Sequence, residues 1–130
     1  MIEFLVVLIV IGILLAIALP SYLAFKSRAY DAVAKANVRK AGPAVEAYSA
    51  ENNGEVGDSD LEATTVGYEG MTIAQLQEID SSISAATLTV RALSHASFCV
   101  SSTHNGHVWH QEGPSAPIVS APVRDLKRKP

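Results

Sequence analysis

The chain has 130 residues, 48% of them hydrophobic, a formal net charge of −3 and a single cysteine. This length suits one small domain, and the weak net charge gives no electrostatic support for nucleic-acid binding. One cysteine excludes an intrachain disulfide, so Cys99 is interpreted as a small buried hydrophobic residue, and an intermolecular disulfide is the less favoured alternative.

The first 25 residues form the most apolar part of the chain. From Phe4 to Leu19 no side chain is polar, and the apolar character continues past Pro20 to Phe25. As a helix this segment is about 33 Å long, enough to cross a hydrocarbon core of about 30 Å. A helix that is apolar on every side must lie in lipid or in a protein core. Glu3 places a carboxylate at the start of the segment. It is interpreted either as lying at the level of the lipid headgroups or as a group that pairs with a cation of a partner.

After Pro20 the sequence becomes amphipathic, with apolar residues recurring at steps of three or four. The proline bends the helix without ending it, since the periodicity resumes at once, and Gly42-Pro43 is a second weak point. Charged residues between the apolar positions, such as Asp31, suit solvent or neighbouring subunits. We expect a helix of about 50 residues that ends near Glu51, before an Asn-Asn-Gly sequence. The apolar stripe consists of Tyr30, Ala34, Val38, Ala41, Val45 and Tyr48.

Three N-terminal motifs carry a resemblance to a known family. They are Ile2-Glu3-Phe4-Leu5-Val6-Val7, Ile9-Val10-Ile11-Gly12-Ile13-Leu14 and Ala16-Ile17-Ala18-Leu19-Pro20. Together they resemble the N-terminal signature of type IV pilins and pseudopilins, which has an early glutamate, a central glycine and a late proline in one apolar helix. In the family the glutamate usually lies further from the processed, N-methylated first residue than Glu3 lies from Met1.

The resemblance implies a structural protein, a major pilin that polymerises with copies of itself into a type IV pilus filament on the cell surface. It also implies a single-span inner-membrane form before assembly, and partners in the pilus assembly machinery and a prepilin peptidase. Phe4 begins the segment that packs in the filament, and Glu3 pairs with the N-terminal amine of an adjacent subunit. The helix is expected to unwind between Gly12 and Pro20, since the proline leaves the carbonyl of Ala16 without its donor.

Residues 54–70 are rich in glycine and acidic residues and are interpreted as a surface loop. Acids at positions 58, 60 and 62 lack the glycine and the distal glutamate of an EF-hand. Thr72 and Gln75 form a capping box ahead of apolar residues, which predicts a short helix over residues 72–80.

From residue 86 the period changes to two, which predicts β-strands. Asn105-Gly106 is the strongest hairpin signal and predicts a type I′ turn. A two-residue turn pairs His104 with His107, and it pairs residue 102 with Trp109. Residues 118–123 are a candidate fourth strand.

The expected fold class is α+β, with a long kinked helix at residues 1–52 whose C-terminal half packs against an antiparallel sheet of three or four strands. Residues 1–25 are its apolar part and 26–52 its amphipathic part. Residues 53–85 form a loop with the short helix, 86–112 the sheet and 113–130 a proline-rich tail with a basic end. The expected helix–sheet core consists of Val38, Val45, Tyr48, Phe98, Val100 and Trp109.

The sequence has no nucleophile motif and no phosphate loop, so we expect neither an enzyme nor a cofactor. His104, His107 and His110 lack a convergent carboxylate, and loop or surface histidines are the favoured interpretation over a metal site. The basic end of the tail either lies in solvent or contacts the acidic loop of a neighbouring subunit.

Three alternative functions remain open from the sequence. The chain could be a pseudopilin of a type II-like secretion system, which forms a short piston. It could be a minor pilin that acts as an adhesin or a priming subunit. It could also be a single-span membrane protein with a small ligand-binding β domain. Adhesion, motility, DNA uptake and electron conduction are all compatible with a filament.

Overall fold

A computed structural model of the chain describes residues 1–54, 58 and 64–120. The chain divides into two compact units, Met1–Tyr30 and Asp31–Pro130. It has the expected α+β class, with a long N-terminal helix and a small antiparallel sheet. The elements are α1 (Ile2–Glu51), α2 (Ile73–Ile79), β1 (Leu88–Ser94), β2 (Ser97–His104), β3 (His107–Glu112) and β4 (Val119–Ser120).

α1 ends at Glu51, as the sequence predicts. The backbone N–H of Asn52 still donates to the carbonyl of Tyr48 at 2.9 Å, and Gly54 then takes a φ of +82°. Glycine adopts this left-handed conformation without steric cost, so it is a common residue just beyond a helix end. α1 continues through Pro20, although this proline cannot donate to the carbonyl of Ala16.

The unit Met1–Tyr30 consists almost entirely of the first part of α1. Its large apolar side chains from Ile2 to Phe25 are exposed, from 47% at Ile11 to 80% at Ile2. Among the described residues, α1 is the one helix long and apolar enough to cross a membrane, and its most apolar window is 0% buried. The core helix of a soluble domain would be mostly buried, so this segment is not part of a core within the chain.

Within the described residues the sheet has four antiparallel strands in the order β1-β2-β3-β4. Asn105 and Gly106 both have positive φ, 47° and 83°, as a type I′ turn requires. His104 therefore pairs with His107, and Ser102 pairs with Trp109, which confirms the predicted register. A fourth strand is present as β4, Val119–Ser120, within the predicted range of 118–123. Residues 121–123 lie outside the described residues.

α2 begins with the predicted capping box. The hydroxyl of Thr72 accepts from the backbone N–H of Gln75 at 3.4 Å, and the side-chain carbonyl of Gln75 accepts from the N–H of Thr72 at 2.8 Å. These two bonds satisfy N–H groups that a helix start leaves without intrahelical partners, so α2 forms despite having only 7 residues.

One hydrophobic core lies within the unit Asp31–Pro130, formed by α1, α2, the inner face of the sheet and the segment that precedes α2. Trp109 and Ile118 are partly buried and pack against it. The buried members are Val38, Ala41, Ala44, Val45, Tyr48, Tyr68, Met71, Leu76, Ile83, Leu88, Phe98 and Val100.

Candidate functional site: the exposed helix and the helix-sheet seam

The four residues assigned to filament assembly all lie in the exposed first part of α1. Glu3 is in the first turn, where the helix dipole favours a carboxylate, and Phe4 is 72% exposed. A methyl group at Gly12 would meet no atom within 4 Å. Because a helix rises about 1.5 Å per residue, Glu3 and Pro20 are about 26 Å apart along its axis. These residues therefore form an extended surface that suits lipid or another apolar helix, and they do not converge on a pocket.

The six residues assigned to the helix–sheet core come together within one cluster. Trp109 is half-buried at its margin, whereas the other five are almost completely buried. The margin suits tryptophan, because its indole N–H needs a hydrogen-bond acceptor that an apolar core does not offer. The five buried residues are Val38, Val45, Tyr48, Phe98 and Val100.

A polar seam, which we define as Asp31, Lys35, His107 and Trp109, joins α1 to the hairpin of β2 and β3. Trp109 Nε1 donates to Asp31 Oδ1 at 2.9 Å, and His107 Nδ1 lies 2.9 Å from the same oxygen. A carboxylate only accepts, so the His107 proton of this bond is on Nδ1. The ammonium of Lys35, one turn after Asp31, lies 4.9 Å from the centre of the Trp109 ring, within the range of a cation–π interaction.

The seam has an electrostatic consequence for Asp31. Hydrogen bonds from Trp109 and then from His107 hold the pKa of Asp31 below its ordinary value of 3.8. Its side chain is 40% exposed, so solvent screens the interaction. The seam therefore fixes the position of the hairpin on α1 more than it adds to stability.

We expect the seam to open at acid pH. The lowered pKa of Asp31 means that its stabilising contribution is present above pH 3.8 and is lost as the pH falls through the lowered pKa. Trp109 is the only tryptophan, so its fluorescence in the full chain in mild detergent reports the change. Asp31→Asn should remove this acid transition.

Asp80→Asn is the matched control for that titration. Bonds from Ser82 lower the pKa of Asp80 too, but neither residue belongs to the seam. The control should keep the acid transition of the Trp109 fluorescence. The assignment to Asp31 is wrong if Asp31→Asn titrates like the wild type.

A second set of contacts docks residues 64–71 on the C-terminal end of α1. Asn52 is buried, and its Nδ2 donates to the carbonyls of Gly67 at 3.1 Å and Glu69 at 3.0 Å. Gly67 N–H donates to the Asn52 carbonyl at 2.9 Å, and the Tyr48 hydroxyl donates to the Glu69 carbonyl at 2.8 Å. Asn52 thus forms hydrogen bonds with backbone N–H and carbonyl groups of a loop that has no helix or strand hydrogen bonds of its own.

Sequence reasoning missed Asp31 and Asn52 as contact residues. Asp31 was expected to face solvent or a neighbour, and Asn52 was expected only to end the helix. The indole N–H of Trp109, on the face expected to pack on α1, was a signal that an acceptor such as Asp31 must lie nearby.

The other candidate residues stay apart. His110 lies on the opposite face of the sheet from His107, and within the described residues no group of three or more His, Cys, Asp and Glu side chains could hold a metal ion. Cys99 was expected to be buried but is only half-buried, because it lies on the outer face of the sheet between Arg91 and Glu112. Burial is still sufficient to raise the pKa of its thiol.

The candidate site is thus an exposed apolar helical surface, in a chain whose other unit has its own core and a polar seam. Such a surface can pack against lipid or against another apolar helix. Comparisons of the chain with models of protein families, with curated proteins and with solved structures give no significant match.

Proposed function

We propose that this chain is the structural subunit, or major pilin, of a type IV pilus filament. The observation that carries the proposal is the exposed apolar surface of α1 over residues 4–25, in a chain whose unit Asp31–Pro130 has a separate core. Apolar surface of this extent needs a covering partner, and in a filament that partner is the same segment of other copies.

Burial of the apolar segment would drive assembly. Each subunit would hide on the order of 1,000 Å² of apolar area, worth about 25 cal/mol per Å² against water. Relative to lipid the gain is smaller, so close packing must supply the specificity. Gly12 supports such packing, because its position has free space around it and a small residue lets a neighbouring helix approach closely.

Glu3 and Pro20 have distinct parts in this proposal. Glu3 pairs with the N-terminal amine of an adjacent subunit, which sets the axial register between copies. Pro20 leaves the carbonyl of Ala16 without a helical donor, so the helix between Gly12 and Pro20 can unwind and make the filament extensible. Before assembly the subunit spans the inner membrane once, where a prepilin peptidase and the assembly machinery act on it.

The proposal can be tested by electron microscopy. The chain is expressed in cells together with a pilus assembly machinery, and material sheared from the cell surface is imaged. Long thin fibres, composed mainly of this chain by mass spectrometry, are expected. Recovery of the chain in the membrane fraction alone, with no fibres, would contradict the filament and favour a pseudopilin or a single-span membrane protein.

Glu3→Gln is expected to lower the fibre yield at least about tenfold, because it leaves a buried ammonium group without its partner. Glu78→Gln, which removes an exposed carboxylate from α2, is the matched control and should leave the yield unchanged. Equal yields from both variants would remove Glu3 from the assembly contact.

A further inference from the structure

Aromatic and basic residues follow one another where the apolar part of α1 ends. We name Tyr22, Phe25, Lys26, Arg28 and Tyr30 the interfacial belt. It spans about 12 Å along the helix axis, enough to reach from the edge of the hydrocarbon core through a headgroup layer of about 5–8 Å. Tyr22 is 60% and Phe25 71% exposed, and both cations are exposed.

Three residues of the belt lie on the same face of α1. Tyr22, Lys26 and Tyr30 follow at steps of four, so they share one face of α1. The Lys26 ammonium lies 5.7 Å from the centre of the Tyr30 ring. This arrangement holds a positive charge beside the Tyr30 ring, with the Tyr22 phenol on the same face of the helix. Such amphipathic rings are enriched where a membrane helix meets the headgroups.

No acidic residue lies between Glu3 and the belt in α1. Between Glu3 and Asp31 the sequence contains no Asp or Glu. Lys26 and Arg28 thus form a local excess of positive charge at the edge of the apolar surface. If residues 4–25 cross the hydrocarbon core, these two cations reach the level of the lipid phosphates.

We propose that the interfacial belt binds the headgroups of anionic phospholipids while the subunit lies in the bilayer. The inference rests on the membrane stage of the proposed function and not on filament formation. The phosphodiester of an anionic lipid supplies a negative charge that attracts Lys26 and Arg28. The three aromatic rings fix the depth at which these cations lie in the bilayer.

The test uses the full chain in phosphatidylcholine vesicles with trace spin-labelled lipid. Electron paramagnetic resonance then gives the preference of the protein for phosphatidylglycerol over phosphatidylcholine. We expect a preference of about fivefold or more at low salt, because one cation near the surface contributes about that factor. Lys26→Gln with Arg28→Gln should reduce it towards one, and so should about 1 M NaCl.

Two further variants test whether the lipid preference depends on the cations of the belt or on any exposed cation of the chain. Arg39→Gln with Arg91→Gln removes two exposed cations outside the belt and should keep the preference. Lys26→Arg with Arg28→Lys keeps both charges and should also keep it. No preference in the wild type, or an equal loss in the Arg39 and Arg91 variant, overturns the proposal.

Inorganic phosphate distinguishes the lipid from a free anion. At matched ionic strength, phosphate and chloride should lower the preference equally. A larger loss with phosphate means that the cations bind free phosphate, which also overturns the proposal. The measurement needs no fibres, so a chain that fails to form filaments can still pass it.

Discussion

Tyr48→Ala is expected to lower the free energy of unfolding by about 3–5 kcal/mol, as large aromatic truncations in cores do. Tyr48 is fully buried among α1, α2 and the sheet, so its removal leaves a cavity that the core cannot easily fill. The variant also loses the hydrogen bond to the Glu69 carbonyl. Urea unfolding of the full chain in mild detergent, followed by Trp109 fluorescence, measures the change.

Two controls divide that loss into its parts. Tyr48→Phe keeps the ring and removes only the hydroxyl, so it should cost about 1 kcal/mol. Val33→Ala truncates an exposed position of the same helix and should change stability by less than about 0.5 kcal/mol. If Tyr48→Ala lowers the free energy of unfolding no more than Val33→Ala does, Tyr48 does not contribute to the core as proposed.

Gly67→Ala is expected to destabilise the chain by about 3 kcal/mol or more. Gly67 has a φ of +64°, which strains any residue with a Cβ, typically by about 1–3 kcal/mol. A Cβ there would also lie 2.1 Å from the backbone carbonyl oxygen of His95, in the turn between β1 and β2. The loop must then move off that turn and lose its bonds to Asn52. The same urea experiment measures the effect.

Gly106→Ala is the matched control for Gly67. Its φ of +83° imposes similar backbone strain, but an added Cβ meets no atom within 4 Å. It should therefore cost about 1–3 kcal/mol, from the backbone strain alone. Equal losses from the two variants would mean that the contact with His95 is relieved without cost.

The sheet register could be predicted from the sequence because a local signal determines it. Asn105-Gly106 requires a two-residue turn, and a two-residue turn fixes which residues of β2 and β3 pair. The capping box before α2 is similarly local. Both predictions depend on residues close together in the chain, and both are confirmed.

The polar contacts could not be predicted in the same way. Asp31 and Trp109 are 78 residues apart, and Asn52 and Gly67 are 15 apart. No periodicity or turn chemistry links such pairs, because their meeting depends on how the elements pack. The assembly roles of Glu3 and Gly12 stay predictions, since they concern contacts between copies of the chain.

The core has a consequence for where the chain can be cut. Five of its buried side chains belong to α1, between Val38 and Tyr48. A fragment that starts after Glu51 would keep strands β1 to β4 yet leave Phe98 and Val100 uncovered, which makes it prone to aggregate. A fragment that starts near Asp31 would keep both sides of the core. We therefore expect the smallest autonomous folding unit to include the C-terminal part of α1, although the exposed N-terminal part of the same helix belongs to the other unit.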